Sequence, residues 1–583
     1  MKKWPAILLC ALIVARGVGA AAQQSPPAAG RSYSAGDVKP PKVAAPTAAS
    51  PVTFDDITKT SSITFKQLSS PTSMKYLPES MGAGVALFDY DNDGRLDIFF
   101  TNGARLEDPM PKSTTPDKRD ARYWNRLYHQ KADGTFEDVS ERAGVRGEGY
   151  SMGVAAADYD NDGWVDLYVT GYGANTLYRN NHDGSFTEVT KKTGTAGSGW
   201  STSAAWVDYD RDGRLDLFVA RYLDWDFERG AIACGDPRPE LRAYCHPDNF
   251  KGAANILFHQ RADGTFEDVS RAAHIADPTG KALGVAIADI DNDGWPDIIV
   301  ANDSVRQSLY HNRGDGTFDD IALAAGIGYD EDGKTYAGMG IDAADYDEDG
   351  YADIFITALS NQTYALYHNL GDRTFTYDTN LSGVGQATQL YSGWGARFID
   401  IDNDGWRDLF IAQGHVVDTI EKTNAYLKYK QPLLLLRNTG KGFITVSPTA
   451  GAMFNTPIAA RGAAVGDINN DGQPDLVVGV LNDAPVVLRN NGSKNHWMGL
   501  SLIGTKSNRS AIGARVIVTD AANRKRIFDV STAGSYLASN DSRLIVGLGA
   551  ATLVRSVEIR WPSKQVQTID NPAIDRYHTI TEK

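Results

Sequence analysis

Apolar residues in this chain come in short bursts separated by compact polar stretches, a pattern of strands and turns. One kind of burst is rich in small residues, such as GVALF, GVAAA and GVAIA, and is followed within a residue or two by an aspartate. A nine-residue polar stretch follows, then a β-type run such as IFF, LYVT, LFVA or LVVGV. Further on, a second pair of bursts flanks a tight turn, as in LYHQKADGTFEDVS, LYRNNHDGSFTEVT, LFHQRADGTFEDVS and LYHNRGDGTFDDIA. Asp-Gly between β-type runs signals a hairpin, because glycine adopts the positive φ such turns need without steric cost. Each unit reads as strand A, polar loop, strand B, connection, strand C, turn, strand D. The unit occurs seven times, and four antiparallel strands repeated in this way predict an all-β, seven-bladed β-propeller. The ends predict closure. TFDDIT at 53–58 looks like a strand D without a blade, while the last unit lacks its own strand D. Pairing the two would remove an open sheet edge.

The polar stretches share the pattern D-x-D-x-D-G-x-x-D. The first three contain Asp89, Asp91, Asp93 and Asp97; Asp158, Asp160, Asp162 and Asp166; and Asp208, Asp210, Asp212 and Asp216. The next three contain Asp289, Asp291, Asp293 and Asp297; Asp345, Asp347, Asp349 and Asp353; and Asp400, Asp402, Asp404 and Asp408. The last has Asp467, Asn469, Asp471 and Asp475. Side chains at positions one, three and five converge on one point, and the ninth closes the far side. The seventh residue (Arg95, Trp164, Arg214, Trp295, Tyr351, Trp406 or Gln473) can add its backbone carbonyl. Glycine at the sixth permits the sharp turn, as in other calcium loops. An all-oxygen, carboxylate-rich set suits Ca²⁺ over transition metals, and Mg²⁺ is the lesser rival because it wants tight octahedral geometry. The expectation is up to seven Ca²⁺ ions, one per loop, held at the ~10⁻⁴ to 10⁻³ M affinities of extracellular modules. The seventh loop, one carboxylate short, should be the weakest.

Charge fits this picture. The formal net charge is -15, which argues against nucleic acid as a partner. Positions one, three, five and nine of the seven loops alone hold 27 carboxylates, so the acidic balance is mostly metal-site charge. Residues 1–22 read as an export signal, with Lys2 and Lys3 before an apolar run and small residues at Val18-Gly19-Ala20. That run is shorter than the roughly 20 residues needed to span a bilayer, and no later segment is long and apolar enough. A periplasmic, cell-surface or secreted location follows. Two of the three cysteines, Cys234 and Cys245, lie close together in CGDPRPELRAYC and are expected to form a disulfide in an oxidising compartment. Residues 23–50, rich in Ala, Pro, Ser and Gly, read as a flexible leader.

The loops resemble the FG-GAP/VCBS repeats of integrin α-chain propellers, in which A–B hairpins hold calcium. GMGIDAADYDEDGYADIFIT from Gly338, GWGARFIDIDNDGWRDLFIAQGHV from Gly393 and DIIVANDSVRQSLYHN from Asp297 resemble the cartilage acidic protein group more closely. The resemblance covers about 51–494. Beyond it, NRSAIGARVIV, STAGSYLASNDSRLIVGLG and VEIRWPSKQVQTI resemble the ASPIC/UnbV domain that follows such propellers, which implies a small β-sandwich or barrel over 495–583.

The blade pattern also predicts a partner face. The long insertions, 102–124, 221–252 and 413–431, all join strands B and C, on the face opposite the Asp loops. Insertions crowding one face of a repeat protein mark its binding face. An extracellular protein or glycan is expected there, with Trp124, Tyr222, Trp225 and Tyr244 either contacting it or packing the insertions onto the blades. The leading reading is an extracellular recognition or adhesion module. The alternatives are an enzyme acting on polysaccharide or another polymer, and a purely structural scaffold. Asp303 and His415 fall near the inner rim, but no nucleophile elbow, zinc motif or phosphate loop accompanies them.

Overall fold

The computed structural model describes residues 30–33, 45–236 and 238–583; the proposed export signal, 1–22, lies outside the described residues. Seven antiparallel sheets of the expected A–B–C–D order follow one another, in residues 85–138, 150–188, 201–268, 282–320, 341–377, 393–445 and 460–490. In every one, strand B begins on the ninth residue of the Asp loop, as in Asp97–Phe100 and Asp475–Val480. Strand A of each sheet packs against strand A of the next, and that of the last returns to the first, which closes the ring of a propeller. The N-terminal strand Phe54–Asp56 completes the seventh sheet, pairing Phe54 with Asn490 and Asp56 with Leu488. The expected closure is therefore present.

Residues 496–583 form a sandwich of two sheets. One has strands Lys525–Asp529, Arg515–Asp520, Val554–Arg560 and Val566–Asp570; the other has Leu544–Gly549, His496–Ile503 and Tyr577–Thr581. Alternation places Val516, Val518, Val557 and Ile559 inward, where they meet Met498, Leu500, Val546 and the fully buried Trp561. The sandwich sits on the Asp-loop face. Between its sheets a finger, residues 531–540, enters the central channel of the ring. Ala538–Ser539 adds to strand A of blade 1 in parallel, pairing Val85 with Ala538. The Gly534 N–H donates to Val285 O, Ser535 N–H to Ile341 O and the Tyr536 hydroxyl to Met81 O. The small residues of the strand A runs make room for it: a Cβ on Gly84 would lie 2.6 Å from Leu537 O.

The segment read as a flexible leader departs from that expectation where it is described. Residues 30–33 lie against the disulfide loop, and Thr47 bridges to Thr445 in blade 6. Both use backbone hydrogen bonds, which compensate for the low apolar content that suggested disorder. No helix among the described residues is long and apolar enough to cross a membrane.

Candidate metal loops and the opposite face

Each Asp loop is shaped first by its own backbone. The fourth residue sits at φ between +55° and +63° in all seven loops, and the sixth, glycine, at +81° to +100°. Asn occupies the fourth position in five loops, a residue that tolerates this region; Arg211 and Glu348 adopt it in the others. In six loops the first aspartate then accepts from the N–H groups of residues five and six, as when Asp89 takes Asp93 N–H and Gly94 N–H at 3.1 and 2.8 Å; in the third, Asp208 accepts only from Gly213 and Asp212 N–H turns to Asp210. The fifth accepts the N–H of the seventh at 2.9–3.0 Å throughout. The ninth uses one oxygen for the N–H of the second residue and the other for the last N–H of strand C. Asp97, for example, binds Tyr90 N–H at 3.0 Å and Gln130 N–H at 2.8 Å.

Carboxylates gather as the spacing requires. Oxygen atoms of Asp89, Asp91 and Asp97 lie within 4.8 Å of one another. With a histidine ring nitrogen in place of one oxygen, the same spacing holds for Asp91, Asp93 and His129; Asp210, Asp212 and His259; Asp291, Asp297 and His311; and Asp347, Asp349 and His368. In the sequence these histidines are the penultimate residues of strand C, and only the fold brings them to the loops. Each turns Nδ1 to the ninth aspartate, at 3.1–3.3 Å. In blades 2, 6 and 7 arginine stands there instead: Arg179 reaches Asp160 and Asp162, Arg437 reaches Asp402 and Asp404, and Arg489 turns to Asp55 of the closing strand at 3.6 Å. Arg95 and Arg214 pair with Asp93 and Asp212. Asn469 donates to Asp471 Oδ2 at 2.8 Å, so its amide faces the loop as a donor rather than an added charge.

Burial leaves this charge poorly compensated. Among the described residues, Asp91 Oδ1, Asp160 Oδ1 and Asp208 Oδ1 are buried without a hydrogen-bond partner. Burial pushes Asp158, Asp208, Asp289 and Asp353 up to about 7; at Asp208 the neighbouring Asp216 and Asp210 add to it. Buried carboxylates need donors or cations. The donor set, anionic oxygens converging on orphaned acceptors, fits a hard divalent cation.

Two belts tie the loops into the ring. The side-chain amide ending strand C donates to the carbonyl of the second loop residue in the preceding blade. All seven bonds, from Gln130, Asn180, Gln260, Asn312, Asn369, Asn438 and Asn490, measure 2.8–3.1 Å. The fourth loop residue donates to the glycine carbonyl of the next loop at 2.8–3.1 Å in six cases, including Asn470 to Gly94, which crosses the closure. Glu348 has no proton to donate, and there Arg526 of the sandwich enters instead, 3% exposed in its side chain and 2.9 Å from Glu348 Oε1. The sandwich touches other loops directly. Tyr577 donates to Asp467 Oδ2 at 2.8 Å, Arg515 approaches Asp289 at 3.3 Å, and Ser510 Oγ accepts Asp158 N–H at 3.1 Å. A cleft of about 690 Å³ remains between it and the loops of blades 1 and 2.

The opposite face is knitted by the insertions. Cys234 and Cys245 form the expected disulfide. Lys75 pairs with Asp418, and Tyr76, Tyr172 and Trp200 pack with Trp225 in one buried aromatic cluster. Tyr222, Trp225 and Tyr244 are 0%, 3% and 4% exposed, so these three pack the insertions and are not free to contact a partner. Trp124 is half-buried between Arg126 and Arg146, while Tyr426, unremarked in the sequence, is 55% exposed. Asp303 is bound by Tyr222 and Tyr33. His415, held down to about 4 by burial, accepts the Val417 N–H, so each has a structural partner of its own.

A family model described as "FG-GAP-like repeat" matches residues 89–169, 158–219, 243–300, 289–356 and 345–411, together just over half of the chain. One described as "ASPIC and UnbV" matches 504–583. The chain is 23% identical over 533 residues to cartilage acidic protein 1 of Xenopus tropicalis, covering 86% of this chain and 72% of that protein. To the Homo sapiens protein of the same name it is 24% identical over 310 residues, covering 51% of this chain and 43% of that one, so it spans less than half of the human relative. Among solved structures, an Agrocybe aegerita lectin recognising non-reducing terminal N-acetylglucosamine is similar at 17% identity and a TM-score of 0.36, covering 62% of this chain and 79% of its own.

Proposed function

Since the chain belongs to the FG-GAP-like repeat family and ends in an ASPIC and UnbV domain, we propose that it is an exported calcium-binding propeller serving extracellular recognition or adhesion. Its partner in this reading is a protein or glycan on the insertion face. The observation that carries the calcium reading is the set of orphaned buried oxygens, Asp91 Oδ1, Asp160 Oδ1 and Asp208 Oδ1, in three copies of one loop. A divalent cation would supply the positive charge those oxygens lack. Positions one, three, five and nine would hold it, with the seventh carbonyl as a further ligand. The ion's work is structural: it would pin each A–B hairpin and offset the repulsion among four carboxylates.

Export is supported by the disulfide, which belongs to oxidising compartments. Recognition on the insertion face is supported by the contrast in surface supply. The Asp-loop face is covered by the sandwich, whereas the other face presents Tyr426 and the Arg-flanked Trp124. Calorimetric titration of the mature chain with calcium, with melts in calcium and in EDTA, tests the first part. Several bound ions and a large rise in melting temperature are expected; no binding would sink it. Alanine clusters in 102–124 and 413–431 test the second, through loss of binding in a protein and glycan screen.

A further inference from the structure

Residues Gly30–Tyr33 lie in the insertion face as a bound peptide would. Gly30 N–H donates to Ala233 O at 2.9 Å, and Arg31 O accepts from His246 N–H at 2.9 Å. Asn249 clasps Arg31 from both sides, its Oδ1 accepting Arg31 N–H and its amide donating to Arg31 O. Gly30 bridges Cys234 and Ser32 bridges Cys245, so the segment adds an extended strand across the disulfide loop. This is the geometry of strand addition, in which main-chain bonds give affinity and side-chain pockets give specificity.

The side chains are each read by a distinct feature. A Cβ at position 30 would lie 2.5 Å from Cys234 Sγ, so only glycine fits beside the disulfide. The Arg31 guanidinium pairs with Asp248 at 2.6 Å. Tyr33 enters a pocket walled by the His246 ring at 4.7 Å and floored by Asp303, to which its hydroxyl donates at 3.3 Å. Asp303 is 3% exposed and otherwise held by neutral donors, Tyr222 at 2.6 Å and Ser304 at 2.8 Å. A flat ring carrying a hydroxyl donor matches such a floor.

We infer that this groove is a recognition site for an extended Gly-Arg-x-Tyr peptide, filled in cis by the chain's own residues 30–33. The inference rests on the reading of the insertion face as the recognition face and names its ligand chemistry. A segment of four residues holds its place largely through high effective concentration, so weakening its anchors lets a free peptide compete.

The test uses the full mature chain with Arg31→Ala and Tyr33→Ala, titrated by fluorescence anisotropy with a labelled Gly-Arg-Ser-Tyr-Ser peptide. Saturable binding is expected, at least about tenfold tighter than to the unaltered chain. Replacing the peptide's Tyr by Phe, or adding Asp303→Asn, should weaken it about tenfold or more, as expected for a lost hydrogen bond to a carboxylate. A protease site placed within 35–43 and cut after folding gives a second route that leaves residues 30–33 native; there the labelled peptide should exchange in. Absence of saturable binding in both forms, with melting temperature and disulfide intact, overturns the inference, as does binding indifferent to Asp303 and to the peptide's Tyr. Such a failure would leave the alanine-cluster screen of the exposed loops unaffected, so the two readings fail separately.

Discussion

The two faces of the propeller are built on opposite plans. The Asp-loop face is one nine-residue solution used seven times, stitched by belts of amide–carbonyl bonds and covered by the sandwich. The insertion face is made of three unlike loops, one disulfide and a single aromatic cluster. Repetition gathers charge that the protein's own groups do not fully neutralise, whereas the unlike loops bury theirs in private pairs such as Tyr222 with Asp303. One face should therefore depend on ions and pH, and the other on covalent and apolar packing.

The largest test of that contrast is calcium removal. Ion present at tenfold over its dissociation constant contributes about 1.4 kcal/mol per site, so filling the whole ring is worth on the order of 10 kcal/mol, read as a drop in urea midpoint on adding EDTA. The pH dependence carries a sign. Without metal, carboxylates near 7 when folded and near 4 when unfolded bind more protons in the native state, so stability should fall as pH rises from about 4 to about 7. In calcium that loss should disappear, and binding near pH 6.5 should release protons, seen as a buffer-dependent heat.

Next in size is the finger. Tyr536, fully buried in the channel against Trp394 at 5.0 Å, should cost about 3–5 kcal/mol as Tyr536→Ala. Because the finger belongs to the sandwich, exposure of the Asp-loop face to hydrogen exchange should rise with it; an unchanged exchange pattern would show that the domains dock without it. Replacing both Cys234 and Cys245 by alanine should cost about 3 kcal/mol for a loop of this length, while leaving the calcium stoichiometry untouched. A change in ion count would break the separation of the two faces. Smallest is a single belt bond. Asn369→Ala leaves the Ile290 and Ala352 carbonyls short of a donor and should cost about 1–3 kcal/mol, measured by denaturant midpoint.

Much of the fold was legible because strand, turn and loop signals are local. DYDNDGRLD and LYHN repeat within a unit, and glycine or asparagine at fixed offsets declares the backbone the loop needs. The same was true of the closing strand at Phe54, whose aromatic-acidic signature marks it as a displaced strand D. The terminal Asn or Gln of strand C was visible too, but its bond to the preceding blade was not, since nothing local says which carbonyl it will face.

Sequence by itself therefore determined the blade, the Asp loop, the ring closure and the disulfide, each of which depends on residues that are neighbours in a unit or share a repeated signature. Tertiary structure alone decided what covers each face. It set the sandwich on the Asp loops, sent residues 531–540 down the channel, placed Arg526 where Glu348 interrupts the belt, and buried Tyr222, Trp225 and Tyr244 in the cap. An exposed aromatic and a buried one are the same letter, and only the packing of distant segments decides between them.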